Sequence, residues 1–329
     1  MCDAPRRAMR IVDFFEPNTL REAAADLRRD FSFVRTLARA FGPGAARLRP
    51  HAGAIFGKPQ PLVVPELARQ RIGVVASGGS GATAAVVGVR RAFEDAGLEP
   101  AVITAASGSV LFASLWACGL SAEEIGQFWL SLFTRDYVDP SWRAVARRAL
   151  HRFHGTHGLV RGAAIERAFH HRIGDIRLGE TRIPFAAAVH NLDAGRVELL
   201  SSRRTPELPV ARVARIAIAV PTEVGPIELE EPWSAAGSGV VDVLPTEPLD
   251  DEDPLHLVIG TSSYVEPAPC DLGDRLEMLE PVSHEHVHTA HFYESFLDRR
   301  HWRRYMLAGR ASARDALMRR ERDLRRHAA

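Results

Sequence analysis

The sequence predicts an α/β chain: a three-layer α/β/α sandwich with a mostly parallel central sheet, carrying helical N- and C-terminal extensions. Three observations predict it. From Arg71 onward, apolar strand-like runs alternate with helix-like runs, the order that builds a parallel sheet covered on both faces. The first two strand-like runs each end in a short turn of small residues that opens a helix. The chain has 329 residues, 46% of them apolar, enough to bury a sizeable core.

Taken in order, residues 1–70 read as an N-terminal extension, with helices at 19–29 and 31–41 and a Gly/Pro-broken stretch from Gly42 to Pro65. The α/β domain spans 71–265. It opens with a strand over 72–76, a helix over 82–96 stopped by Gly97, a strand over 101–105, and a helix over 108–118 stopped by Gly119. Ser121-Ala122-Glu123-Glu124 then forms a capping box, in which the serine hydroxyl and the glutamate carboxylate each take a backbone N–H at the start of the next helix. Helices follow at 141–153, 162–172 and 209–219, and strands at 183–189, 196–201 and 255–260. Residues 266–329 read as a C-terminal loop and a basic amphipathic helical tail. Trp302, Tyr305, Met306, Leu307, Leu317 and Leu324 supply its apolar stripe. Such a tail suits peripheral contact with an anionic membrane. Asp298, Asp315, Glu321 and Asp323 dilute its positive face, which favours packing on its own domain.

The chemistry centres on Ala105-Ala106-Ser107-Gly108-Ser109, between the strand at 101–105 and the apolar helix that follows. A serine on a sharp strand-to-helix turn exposes its Oγ at the end of a sheet, the geometry of a nucleophile elbow. About thirty residues upstream, Ser77-Gly78-Gly79-Ser80-Gly81 links another strand to another helix. The backbone N–H groups of Gly78, Gly79 and Ser80 suit an oxyanion hole there.

This ordered set resembles the patatin-like phospholipase family, serine acylhydrolases that use a Ser–Asp dyad. Its carriers are the loop Gly78-Gly79-Ser80-Gly81-Ala82-Thr83, the pair Gly88-Val89, the elbow around Ser107, and Leu115 to Ile125 with its Ser121-Ala122-Glu123-Glu124. Gly158-Leu159, the strand–turn–strand Ala186 to Arg196, and Ala217-Ile218-Ala219-Val220-Pro221 continue the similarity, which covers about residues 71–262. The resemblance implies a lipid or acyl-ester substrate, Ser107 as nucleophile and no cofactor or metal. The implied activity is that of a carboxylic ester hydrolase of the phospholipase A, lysophospholipase or esterase type.

The departures from that pattern have physical consequences. Ala105 and Ser109 stand where the family has glycines, at a point where strand and helix pass closely and a Cβ widens the turn. Ala82 replaces a basic residue, but the oxyanion donors are backbone groups and survive. Anchoring the family's last motif on Pro245 puts Gly237 at the aspartate position and Asp242 at an asparagine position. Losing the base costs on the order of 10⁴ in rate. Asp242, five residues on, is the expected substitute, and His190 at the end of a strand is a second candidate. The alternative is an inactive pseudoenzyme that binds an acyl lipid or a partner protein without turnover.

Other features exclude more than they assign. No apolar run approaches a membrane span, and no secretory signal follows Met1. Cys2, Cys118 and Cys270 are odd in number and far apart, as in a reducing compartment, so a cytoplasmic location is expected. Net charge is +1 and Lys58 is the single lysine, so nothing points to nucleic acid. His284, His286, His288 and His291 could group on one face of a strand or helix, but no cysteine joins them. They read as a solvated loop, and no metal is assigned.

Overall fold

The computed structural model describes residues 53–78, 81–143, 160–191, 194, 196–219, 227–228, 234–236, 255–262, 272–279 and 301–328. Gly79, Ser80, Gly237, Asp242, His284–His291, the helices expected at 19–29 and 31–41, and most of that expected at 141–153 lie outside the described residues.

The eight strands are β1 (Ile72–Ser77), β2 (Val102–Ala106), β3 (Phe185–Asn191), β4 (Arg196–Ser201), β5 (Ile227–Glu228), β6 (Ser234–Ala236), β7 (Leu257–Ser262) and β8 (Leu276–Leu279). They form one sheet in the order β5-β6-β3-β2-β1-β7-β8, with β4 also on β3. The centre, β3-β2-β1-β7-β8, is parallel throughout, while β4, β5 and β6 pair antiparallel at one side. This is the α/β fold with a mostly parallel sheet that the alternation implied.

Seven helices are described: α1 (Ala85–Ala96), α2 (Val110–Ala117), α3 (Ala122–Ser131), α4 (Thr134–Tyr137), α5 (Ala163–Ile173), α6 (Val210–Ala217) and α7 (Trp302–Ala328). One sheet face, with Val74, Ala76, Ile103, Ala105, Phe185, Ala187 and Val189, joins the buried sides of these helices in a single core. The opposite face is buried too: Val75, Thr104, Ala106, Ala188 and Val258 have no exposed surface. Sheets buried on both faces are the rule where parallel strands dominate.

Local chemistry explains the ends of the elements. Gly97 closes α1 at φ 65°, where its N–H reaches back to the Glu94 and Phe93 carbonyls. The Ser121–Glu124 capping box forms in both directions at the start of α3. A 3₁₀ turn over Gly81–Ala84 precedes α1, so the regular helix starts at Ala85 rather than at 82.

The helix α7 lies along α1 with backbone against backbone. A Cβ on Gly88 would strike the Met306 carbonyl oxygen, and one on Gly309 would lie 2.9 Å from the Ala85 carbonyl carbon. Beyond this crossing, buried Asp95 accepts from Arg310 Nε at 2.8 Å, Arg314 Nη1 at 3.2 Å and the Gln60 N–H at 3.2 Å. Arg310, itself buried, also donates to the Phe56 carbonyl. Removing one partner of a buried pair strands the other charge. Asp95→Ala is therefore expected to cost about 3 kcal/mol or more in denaturant unfolding. A loss under about 1 kcal/mol, the worth of an exposed pair, would show that Arg310 does not need its partner.

Farther along α7, Glu321 accepts from the N–H groups of Glu66 and Leu67 and from Arg325. Burial works to raise its carboxyl, but these donors outweigh it and hold the pKa below the ordinary value. A depressed carboxyl stabilises the fold fully above its unfolded pKa, and that stabilisation is lost as pH falls through the lower folded one. Glu321→Gln is thus expected to lower the melting temperature at neutral pH and to narrow its gap to wild type under acid. A gap independent of pH would refute the contribution.

Candidate active site

Ser107 follows β2 directly. Ala106 is still extended at φ −134°, Ser107 turns to φ 55°, and residues 107–109 make one 3₁₀ turn into α2. Ser107 is the only non-glycine residue with positive φ among the described residues. A side chain held there costs about 1–3 kcal/mol and persists where the surroundings enforce it. Ala105 and Ser109, the substituted elbow glycines, are both fully buried, so the turn closes despite its two extra Cβ atoms.

The glycine loop meets the elbow. Gly78, at φ 109°, directly follows β1, and its carbonyl accepts the Ser109 N–H at 3.3 Å. Gly78 and Ser107 are thereby brought to the same carboxyl edge of the sheet. Ligands in open α/β sheets gather at that edge.

The pairing of β3 carries the rest of the site. Along one edge β3 pairs with β4 from Ala186 to Asn191. Its other edge takes β2 as far as Ala188 and then β6 at His190 and Asn191. So β6 occupies the line that β2 vacates at Ala106, where the chain turns away into α2. Rung 190 lies two residues past rung 188, about 7 Å at about 3.3 Å per residue. Ala236 therefore sits just beyond the elbow, and Gly237 is the next residue of the chain. Nothing in short, irregular Ser234–Ala236 announces a strand, so the sequence does not show this insertion.

His190 is 8% exposed, and its Nε2 is buried without a hydrogen-bond partner. Burial lowers its pKa from the ordinary histidine value, which favours the neutral ring. No hydrogen bond links the Ser107 hydroxyl to a carboxylate or imidazole among the described residues. Catalytic hydrogen bonds are often long in a free enzyme and tighten with substrate.

The apolar residues that follow the elbow are core where they are fully buried. Leu111, Leu115 and Trp129 have no exposed surface, and half-buried Phe128 packs edge-on against Trp129 and Phe169. Burial pushes the Cys118 thiol up to about 12, so it offers no thiolate nucleophile. No group of three or more His, Cys, Asp or Glu that could hold a metal occurs among the described residues. No helix among them is long and apolar enough to cross a membrane.

The sequence profile described as Patatin-like phospholipase matches residues 74–250, just over half of the chain. No curated protein matches the chain. Among solved structures, VipD from Legionella pneumophila is similar at 13% identity and TM-score 0.46, covering 76% of this chain and 67% of its own. ExoU from Pseudomonas aeruginosa, solved with SpcU, is 14% identical at TM-score 0.44, covering 76% of this chain and 52% of its own. Human GIVD cytosolic phospholipase A2 in complex with methyl gamma-linolenyl fluorophosphonate is 12% identical at TM-score 0.47, covering 94% of this chain and 64% of its own. The chain thus spans about half of the ExoU chain and under two thirds of the human one.

Proposed function

The chain belongs to the patatin-like phospholipase family, and we propose that it is a lipid acyl hydrolase that cleaves acyl esters with Ser107 as nucleophile. One observation carries the reading. A serine, rather than a glycine, is held at φ 55° on the strand-to-helix turn. A small residue filling space would not be kept in that strained conformation; a nucleophile presented to substrate would. The N–H groups of the Gly78-Gly79-Ser80 loop stabilise the oxyanion in this reading, with no metal or cofactor. Phospholipids and neutral lipids are the substrate class.

Reaction with a fluorophosphonate probe tests it, because such probes phosphonylate an activated serine. Wild type is expected to be labelled at Ser107, and Ser107→Ala to be inert both to the probe and to acyl esters. Labelling that persists in Ser107→Ala would assign the chemistry elsewhere. A wild type that binds acyl lipid but neither labels nor hydrolyses is the binding-only protein that Gly237, at the family's aspartate position, favours.

A further inference from the structure

We infer that His190 is the general base that takes the proton of Ser107, in place of the carboxylate the family uses. The inference rests on Ser107 being the nucleophile. It begins with the sheet: β2 stops at the rung Ala106–Ala188, and His190 is two residues further along β3. Alternate residues of a strand share a face, so His190 continues the line of Ala188 on the face it shares with Ala106, immediately before the elbow. Ser107, the residue after Ala106, turns out of the strand just past rung 188, and His190 lies about 7 Å beyond that rung along β3. The elbow serine and the histidine both stand at the carboxyl edge of the sheet, at the end of adjacent strands.

A second observation points the same way. His190 is more than nine-tenths buried, yet its Nε2 has no partner. Buried ring nitrogens are ordinarily satisfied, and one left open can take a proton when the ring carries its own hydrogen on Nδ1. Its strand neighbours among the described residues carry no charge. β2 contributes Thr104 and Ala106 and β4 contributes Val197 and Leu199, none of which ionises. The acid nearest along β4, Glu198, pairs with the rung of Val189 and is engaged by Asn191 and Arg196. No carboxylate among them competes for the serine proton.

The steps balance with water as the sole co-reactant. Ser107 Oγ attacks the ester carbonyl carbon as its proton passes to His190 Nε2, and the carbonyl electron pair moves to oxygen. Collapse of this oxyanion breaks the ester C–O bond, and His190 returns the proton to the leaving alcohol, giving acyl-Ser107. Water then attacks the acyl carbon and gives its proton to His190. Ser107 departs and recovers that proton, releasing the fatty acid.

The experiment measures kcat/KM against pH for hydrolysis of a p-nitrophenyl acyl ester by wild type, His190→Asn and Asp242→Asn, with fluorophosphonate labelling in parallel. With His190 as base, the wild-type rate rises with pH along a limb centred below the ordinary histidine pKa but above the value of about 4 set by an aspartate. His190→Asn is expected to lose that limb and about 10²–10⁴ of kcat, with KM little changed. Circular dichroism checks that the variant is folded; if it is not, the wild-type limb alone decides. A limb near pH 4, full activity in His190→Asn, or loss of the limb in Asp242→Asn overturns the assignment while leaving Ser107 in place. A wild type that neither labels nor hydrolyses overturns the nucleophile itself, and the base with it.

Discussion

Ser107→Gly is expected to abolish acyl-ester hydrolysis while making the protein more stable. The two effects share one cause. At φ 55° a serine is strained and a glycine is not. Relief of about 1–3 kcal/mol of strain is partly offset by glycine's larger entropy loss on folding, about 0.5–1 kcal/mol. A net gain of about 0.5–2 kcal/mol remains, to be read as an upward shift of the denaturant midpoint at unchanged slope. Removing the hydroxyl removes the nucleophile, and the rate should fall by on the order of 10⁴ or more. Ser107→Ala would lose the same activity without the gain, since alanine keeps the strained Cβ. If Ser107→Gly is less stable than wild type, the turn is not under strain and the main support for a nucleophile elbow is withdrawn.

The largest structural effect is expected where α1 crosses α7. Gly88→Val and Gly309→Val each place side-chain atoms where the facing backbone already stands. Neither backbone can yield like a flexible side chain, so the helices must separate. Overpacking of ordinary cores costs about 1–3 kcal/mol, and here the upper end or more is expected. Separation would also draw Arg310 away from Asp95 and Trp302 from its contacts with Phe112 and Trp129. Because both substitutions break one contact, Gly88→Val with Gly309→Val should cost less than the sum of the two. Chemical denaturation of the three variants measures this. Additive losses, or losses under 1 kcal/mol, would place the crossing elsewhere.

Where short-range chemistry dictates structure, the sequence could be read. The Ser121–Glu124 box, the Gly97 stop and the strand–Ser107–helix order each depend on residues a few positions apart, and each appears in the structure. Strand β8 was not read, because Leu276-Glu277-Met278-Leu279 is four residues without a period and owes its state to pairing with β7. The inner face of α7 was only partly legible. Leu307 belongs to its apolar stripe, yet it is 41% exposed. Met306 of that stripe does meet α1, but Gly309 and Arg310 share the contact, and their value appears only when Gly88 and Asp95 are seen opposite. Gly88, read as part of a family pattern, has its physical reason in that partner. At the candidate site, Ser107 and His190 could be marked from the chain, but their neighbourhood depends on β6 entering the line left by β2. That is a long-range event without a local signal.

The crossing of α1 and α7 also sets the order in which the chain can mature during synthesis. The α1 face with Ala85, Gly88 and Asp95 leaves the ribosome about 200 residues before the helix that covers it. At roughly 5–20 residues per second the interval is roughly 10–40 s. During that time the groove has no cover and the Asp95 carboxylate has no guanidinium from α7. The nascent protein therefore carries an α1 face without its native cover until α7 is made.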